Sequence, residues 1–204
     1  MPTALELSRG PGQVARLRPR AKEEATSTLG MTIFLASWAM MFSALFFAYA
    51  FVRSRSVMWP PAGIPALPVA MPLVNTVVLL ASSVTFSRGL AALQRGGRKT
   101  LSGWVLATLV LGVVFLVLQV LVWQSVSRSG LHVSSGIYGS VFYSLTLFHA
   151  LHVVVGLFIL LWVLVRSLAG KYTEHNFVNV RLCTMYWHFV DVVWLLMFIS
   201  IYLL

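Results

Sequence analysis

Long apolar segments alternate with short polar ones along the chain. Five mostly apolar segments occur, at about residues 28–52, 71–93, 101–126, 136–165 and 180–204. A helix needs about 20 such residues to cross the hydrocarbon core of a bilayer. We therefore predict an all-α integral membrane protein built as a bundle of five transmembrane helices.

The first 27 residues differ in character from the rest of the chain. They are polar, contain Pro2, Pro11 and Pro19, and include five basic residues. They also lack the apolar stretch that a signal peptide requires. The sequence therefore predicts a disordered cytoplasmic tail over residues 1–27, followed by a single membrane domain over residues 28–204.

Basic residues are distributed unequally between the two ends of the predicted helices. Of the 15 Lys and Arg residues, 12 lie in the tail or at the second and fourth connections between helices. The other three, Arg53, Arg55 and Arg128, lie at the first and third connections. Because cytoplasmic loops are enriched in Lys and Arg, this bias predicts a cytoplasmic N-terminus and a C-terminus on the periplasmic or outer side.

The composition narrows the possible partners and cofactors. Only 10% of the residues are charged and the mean hydropathy is +0.87, values that exclude an ordinary soluble domain. The net charge of +10 is spread over the connections instead of being gathered on one face, so we predict no nucleic-acid partner. Cys183 is the only cysteine, which excludes an intrachain disulfide and any site built from several cysteines.

Four ionisable side chains lie near the middle of the last two predicted helices. His149 and His152 are three residues apart, as are His188 and Asp191, so each pair shares a helix face. An Asp at the centre of a membrane helix costs about 3 kcal/mol even on the insertion scale, so its presence there needs a reason. The short loop between the two helices makes them antiparallel neighbours. We therefore predict one hydrogen-bonded midplane cluster of these four residues, in which Asp191 accepts from a histidine of its own or the neighbouring helix.

The histidines allow more than one interpretation. Haem ligation is one, because bis-histidine haems occur between the helices of membrane bundles. The other is structural, with neutral imidazoles joining helices. Haem needs one histidine from each of two helices and clearance for the macrocycle, whereas these histidines lie among aromatic residues, so the structural interpretation is favoured. Zinc requires three or four converging ligands, and no further helix supplies them.

Two arginines near the predicted cytoplasmic helix ends have two possible roles. Arg88 and Arg166 can contact lipid phosphates, or their side chains can simply extend along the helix to reach the membrane surface. The second is the more ordinary explanation of arginine at such positions.

Longer motifs point to a family. The fifth segment contains YWHFVDVVW, residues 186–194, and the fourth contains YGSVFYSLTLFHALHVVVG, residues 138–156. Further motifs are LGVVFLVLQ (111–119), NTVVLLASS (75–83), LASWAMMFSALFFAYA (35–50) and Trp59-Pro60-Pro61. Together these motifs, which cover all five helices, resemble those of subunit III of the haem-copper respiratory oxidases, in its five-helix form.

The resemblance implies a role as well as a fold. It implies a non-catalytic subunit of a proton-pumping terminal oxidase in a bacterial cytoplasmic (inner) membrane, packed against catalytic subunit I and other oxidase subunits. Haem and copper would belong to those partner subunits and none to this chain, which would bind phospholipid and support proton uptake. Electrons would arrive from cytochrome c or quinol through other subunits. The motif residues expected to pack the bundle are Asn75, Gln119, Phe148, Tyr186, Trp187 and Trp194.

The chain departs from the family pattern at two positions. Where the family usually has a carboxylate in the first of these helices, the chain has Trp38. Where the family usually has Glu near the end of the LGVVFLVLQ helix, the chain has Val122. A role in proton uptake that depends on those acids is therefore not expected here, whereas scaffold and lipid-binding roles are unaffected.

Three other functions are alternatives to the oxidase subunit. The related subunit that accompanies nitric oxide reductase belongs to the same family. A b-type haem membrane anchor would use the histidines as ligands, and a small transporter would use the polar groups as a substrate site. Neither of these last two has a distinctive motif in the sequence.

Overall fold

The chain folds into five long helices. The computed structural model describes residues 11–58, 69–173 and 176–203, with residues 11–21 described by their backbone alone. The helices are α1 (Pro11–Arg55), α2 (Ala70–Gln94), α3 (Arg98–Arg128), α4 (Ile137–Leu168) and α5 (Val178–Phe198), and α5 continues as a π-helical turn, Ile199–Leu203. All five are long and apolar enough to cross a membrane, which confirms the predicted all-helical membrane bundle.

Hydropathy placed four of the helices closely and misplaced the start of α1. In the structure α1 begins at Pro11, so residues 11–27, which were predicted to be disordered, are helical. Polarity marks where the apolar segment ends, but Lys22, Glu23 and Glu24 are good helix formers and let the helix continue beyond it. Residues 1–10, the rest of the predicted tail, and the proline-rich connection at 59–68 lie outside the described residues.

Helix α5 occupies the centre of the bundle. It packs against α2, α4 and α1, while α3 fills the space between α2 and α4. Helix α1 is peripheral and packs mainly against α4 and α5. Among its described side chains only Phe42 and Tyr49 are buried. The hydrophobic core therefore lies around α5, and α1 is attached to one side of it.

Two glycines allow the fully buried Trp187 of α5 to fit between α3 and α4. A Cβ on Gly112 would lie 2.8 Å from Trp187 Cη2, and a Cβ on Gly156 would lie 2.9 Å from Trp187 Cζ3. Both distances are too short for ordinary contact, so the indole ring needs glycine on both neighbouring helices. Small residues that permit close approach are a recurrent basis of helix packing in membranes.

Glycine also ends the helices. Gly130 after α3 and Gly170 after α4 have φ values of +94° and +68°, in the left-handed region. The next backbone N–H reaches back to an unpaired helical carbonyl, Leu131 to Val126 at 3.2 Å and Lys171 to Arg166 at 3.1 Å. This is the Schellman arrangement. It lets short connections turn the chain back into the membrane.

We predict that Gly156→Ala and Gly112→Ala destabilise the protein by roughly 1–3 kcal/mol, because the added methyl group forces the Trp187 ring out of its place. The measurement is the midpoint of thermal unfolding in detergent. Gly103→Ala, on the same helix as Gly112, is the matched control, because a Cβ there meets nothing within 4 Å. Equal midpoints for Gly156→Ala and Gly103→Ala would contradict the role assigned to the glycines.

Candidate functional site

Two tryptophans join α5 to α2 in the core. Trp187 Nε1 donates to Ser82 Oγ at 3.0 Å, and Trp194 Nε1 donates to Thr76 Oγ1 at 2.9 Å. Both indole N–H groups are buried and would be costly in hydrocarbon without an acceptor. Trp187 and Trp194 are seven residues apart, two helical turns, so the pair fixes the alignment of α5 along α2.

A polar network lies beside these tryptophans, and we call its four residues, Ser83, Ser87, His188 and Asp191, the α2–α5 network. Ser83 Oγ donates to Asp191 Oδ2 and lies 2.5 Å from His188 Nδ1. Ser87 Oγ lies 3.0 Å from His188 Nε2. Because the Ser83 hydroxyl proton is given to Asp191, its oxygen accepts from His188 Nδ1–H. Asp191 and His188 are thus joined through Ser83.

The α2–α5 network differs from a nucleophilic Ser-His-Asp triad. In a triad the carboxylate accepts directly from one ring nitrogen and the nucleophile hydrogen-bonds the other. Here Asp191 Oδ2 lies 3.9 Å from His188 Nδ1, and Ser83 stands between them. The geometry therefore fits helix–helix attachment better than acyl transfer.

The α2–α5 network is buried at one end and open at the other. Asp191 is buried, and its Oδ1 has no partner among the described residues. The His188 side chain is 43% exposed and faces out of the bundle. Ser83 and His188 lie near the middle of their helices, at the depth of the hydrocarbon core. Polar groups exposed at this depth are uncommon and mark functional surfaces.

The predicted cluster of four ionisable residues divides in two. His149 is fully buried, with its ring centroid 5.3 Å from Trp194, and His152 Nδ1 lies 2.5 Å from the Phe148 carbonyl oxygen. Among the described residues no hydrogen bond joins either histidine to Asp191. The physical reason is the rotation of α5. It meets α4 through Tyr186, whose hydroxyl donates to the His152 carbonyl at 3.0 Å, whereas Asp191 faces α2.

The histidines do not share a gap that a haem would enter. The His149 ring packs against Phe115 and Trp194, and the Trp38 ring lies against His152 at 3.8 Å between centroids. The ring nitrogens of His188 lie instead against Ser83 and Ser87 of α2. Within the described part of the chain no group of three or more His, Cys, Asp or Glu side chains is placed to hold a metal. This is consistent with cofactors carried by partner subunits.

Other hydrogen bonds connect the remaining helices. Asn75 Nδ2 donates to Gln119 Oε1 at 3.1 Å between α2 and α3, both residues being buried. Trp123 Nε1 donates to Thr146 Oγ1 at 3.1 Å between α3 and α4. Tyr49 of α1 donates to the backbone carbonyl of Ser200, beyond α5, at 2.8 Å. The polar side chains predicted from the family motifs thus contribute to helix packing.

The two arginines at the predicted cytoplasmic end lie against indole rings. The Arg88 guanidinium is 5.8 Å from the Trp104 ring centroid, and that of Arg166 is 4.8 Å from Trp162. Each makes a cation–π contact near its helix end. This arrangement is typical of arginines that extend toward the membrane surface. The contact of these two arginines with lipid phosphates remains a prediction.

Apolar packing occupies the two positions, 38 and 122, at which the resemblance led us to expect a carboxylate in related proteins. Trp38 packs edge-on against His152, and Val122 is fully buried. Phe148 differs from the other five motif residues, since its side chain is 43% exposed whereas theirs are buried. Neither position 38 nor position 122 therefore supplies a carboxylate to the bundle.

Ser83 and Ser87 were not predicted to be site residues. A single serine in a membrane helix is common and does not indicate a site. These two serines are four residues apart, about one helical turn, and this spacing allows both hydroxyl groups to reach the same histidine ring. A search for such spacing in an apolar segment would have selected them as candidates.

Comparison with known proteins gives a consistent result. The family described as cytochrome c oxidase subunit III matches residues 22–204. The chain is 39% identical over 179 residues to cytochrome c oxidase subunit 3 of Loxodonta africana, which covers 85% of this chain and 67% of that protein. It is 38% identical over 176 residues to cytochrome c oxidase subunit 3 of Synechocystis sp., covering 86% and 74%.

We predict that Ser83→Ala lowers the free energy of unfolding by about 1–3 kcal/mol, the range for a buried polar group that loses its partner. The variant leaves Asp191 without its donor. Ser37→Ala is the matched control, because Ser37 is exposed and donates only to the Phe34 carbonyl of its own helix. The measurement is thermal unfolding in detergent. In a double-mutant cycle, Asp191→Asn is expected to cost less in the Ser83→Ala background than in the native chain, and strict additivity would contradict the coupling.

Proposed function

The chain belongs to the cytochrome c oxidase subunit III family, and from that premise we propose that it stabilises catalytic subunit I of a proton-pumping terminal oxidase in a bacterial cytoplasmic membrane. It is a non-catalytic subunit of the oxidase. Haem and copper are carried by partner subunits, and supply the oxygen chemistry there.

The observation that supports this proposal is that buried polar side chains of the bundle form hydrogen bonds between helices. The interhelical hydrogen bonds, from Asn75–Gln119 to Trp194–Thr76, join one helix to another. They hold a rigid helical body together and leave a polar, outward-facing edge at His188. A scaffold needs these two properties, a stable body and a surface that partners can recognise.

Lipid binding and proton uptake are the finer parts of the proposal. Arg88 and Arg166, at the same end of the bundle, are suited to hold lipid phosphates beside their indole partners. Because Trp38 and Val122 replace the family carboxylates, we propose that any support for proton uptake is indirect, through the stability of subunit I. Asp191 is the only acid within an apolar segment, and Ser83 already holds it.

The same observations disfavour the three alternative functions. Relatives named cytochrome c oxidase subunit 3 favour the oxidase over a nitric oxide reductase. The enclosed rings of His149 and His152 disfavour the haem anchor. The tightly packed core around Trp187 disfavours a substrate path through the bundle.

We predict that an oxidase purified without this chain starts with a rate of oxygen consumption close to that of the intact complex but loses activity several-fold sooner during continuous turnover. The reason is that a scaffold protects the catalytic subunit without taking part in the reaction. The measurement is oxygen uptake over time, and adding back the purified chain is the control. Immediate loss of activity, or a Soret band from the chain alone, would contradict the proposal.

We also propose that the N-terminus lies in the cytoplasm and the C-terminus outside, on the basis of the 12 to 3 distribution of basic residues. Green fluorescent protein fluoresces in the cytoplasm and alkaline phosphatase is active outside it. We therefore expect phosphatase activity from a fusion after Leu204 and fluorescence from a fusion at Gly97, between α2 and α3. The reverse result at both positions would overturn the assignment.

A further inference from the structure

A pocket of about 920 Å³ opens at the end of the bundle where α3 leads into α4. Polar side chains line it around the end of α3, and apolar ones line it toward the middle of the bundle. We call it the α3–α4 pocket. Its lining includes Val120, Trp123, Gln124, Arg128, His132 and Ser134.

Two tryptophans of α3 indicate the depth of the pocket in the bilayer. Trp104 and Trp123 are 19 residues apart, about 28 Å along the helix axis. That distance matches the thickness of the hydrocarbon core, about 30 Å, and tryptophan is enriched at both of its surfaces. Gln124 and Arg128 follow Trp123 and so lie at the level of the lipid headgroups, whereas Val120 lies at the level of the acyl chains.

An apolar stripe of α3 continues from the pocket into the hydrocarbon region. Val113, Val117 and Val120 are spaced by four and three residues, so they lie on one face of the helix, and all three are exposed. Gln124 and Arg128, at further intervals of four, are exposed on the same face. This face is therefore apolar inside the membrane and polar at the headgroup level, which is the order of groups in a phospholipid.

The connection that carries His132 is held in place by hydrogen bonds. The His132 backbone N–H donates to Ser135 Oγ at 2.8 Å, and Ser140 Oγ donates to the Val133 carbonyl at 2.8 Å. Ser127 Oγ lies 3.1 Å from His132 Nδ1. Because the Ser127 hydroxyl has no other acceptor among the described residues, it donates to Nδ1, and the proton of the neutral ring is on Nε2. His132 therefore offers a donor at the wall of the pocket.

The chain offers no carboxylate to Arg128. Residues 25–173, which include α2, α3 and α4, contain no Asp or Glu. Asp191 lies in the middle of α5 and accepts from Ser83. The other four acids belong to segments at the opposite end of the bundle. The counter-ion of Arg128 must therefore come from outside the chain.

The end of α3 is also a poor site for a second cation. The backbone carbonyls of residues 125–127 already accept from N–H groups of the residues that follow. A zwitterionic headgroup would therefore bring its ammonium group beside Arg128 without meeting a carboxylate. A phosphate in a lipid of net negative charge meets only the attraction of the arginine.

We propose that the α3–α4 pocket binds an anionic phospholipid, whose phosphate accepts from the Arg128 guanidinium and from His132 Nε2–H while one acyl chain lies along Val113 and Val117. The lipid belongs to the leaflet at the C-terminal end of the bundle, so the site is separate from the contacts proposed for Arg88 and Arg166 at the other end. It requires only that the chain is embedded in a membrane. Its failure would therefore leave the proposed oxidase role intact.

The test is native mass spectrometry of the full chain in mild detergent, titrated with phosphatidylglycerol or phosphatidylethanolamine that carry the same acyl chains. Arg128→Gln is expected to weaken the binding of phosphatidylglycerol about 10-fold, as the loss of a hydrogen bond to a charged group predicts. Arg55→Gln is the matched control and is expected to change it little, because Arg55 is exposed at the same end and lies outside the pocket. Equal losses in the two variants, or equal affinity of the native chain for both lipids, would overturn the proposal.

A second experiment locates the lipid and separates it from a free anion. Phosphatidylglycerol with a photoreactive diazirine in its acyl chain is expected to form adducts with α3 between residues 113 and 123, and these are expected to fall about 10-fold in Arg128→Gln. Unchanged adducts in that variant would contradict the site. Glycerol 3-phosphate carries the phosphate without acyl chains and is expected not to displace the lipid at equal concentration. Displacement would indicate a site for free phosphate and would overturn the lipid assignment.

Discussion

Helices inside a bilayer gain little hydrophobic free energy by meeting one another, because lipid tails are as apolar as their side chains. The association of these five helices therefore depends on close packing and on hydrogen bonds that water does not reach. Helix α5 supplies most of both. Its Trp187 and Trp194 donate to α2, its Tyr186 donates to α4, and the π-helical turn that continues it accepts from α1. The position of α5 thus determines the positions of its neighbours.

Trp187 shows how packing and hydrogen bonding combine at one residue. Its ring fits between Gly112 and Gly156, and its N–H is directed at Ser82 on a third neighbour. One side chain of α5 therefore contacts all three of the helices α2, α3 and α4. Trp38 and Val122, the two positions at which the family resemblance leads us to expect a carboxylate, follow the same tendency, because Trp38 packs against His152 and Val122 is fully buried.

The sequence predicted what depends on local composition and missed what depends on helix rotation. Apolar length alone located α2, α3, α4 and α5, since crossing a bilayer imposes a minimum length. The start of α1 was wrong because hydropathy does not report helix propensity. The polar residues were found, but the partner of Asp191 was predicted to be a histidine of its own helix or of α4. Asp191 instead bonds Ser83, 108 residues away, because the side of α5 that carries it faces α2. Spacing places His149 and His152 on one helix face without indicating which neighbour that face meets.

Burial is distributed as expected for a part of a larger assembly. Helix α5 is buried on most sides, whereas α1 buries few side chains and attaches along one edge. A bundle that was complete in itself would direct its polar residues inward and leave only apolar residues outside. Here the α2–α5 network begins at buried Asp191 and ends at exposed His188 and Ser87, within the hydrocarbon region. Both ring nitrogens of His188 have partners within the chain, Ser83 and Ser87, so the chain itself supplies the hydrogen bonds that these polar groups need inside a membrane.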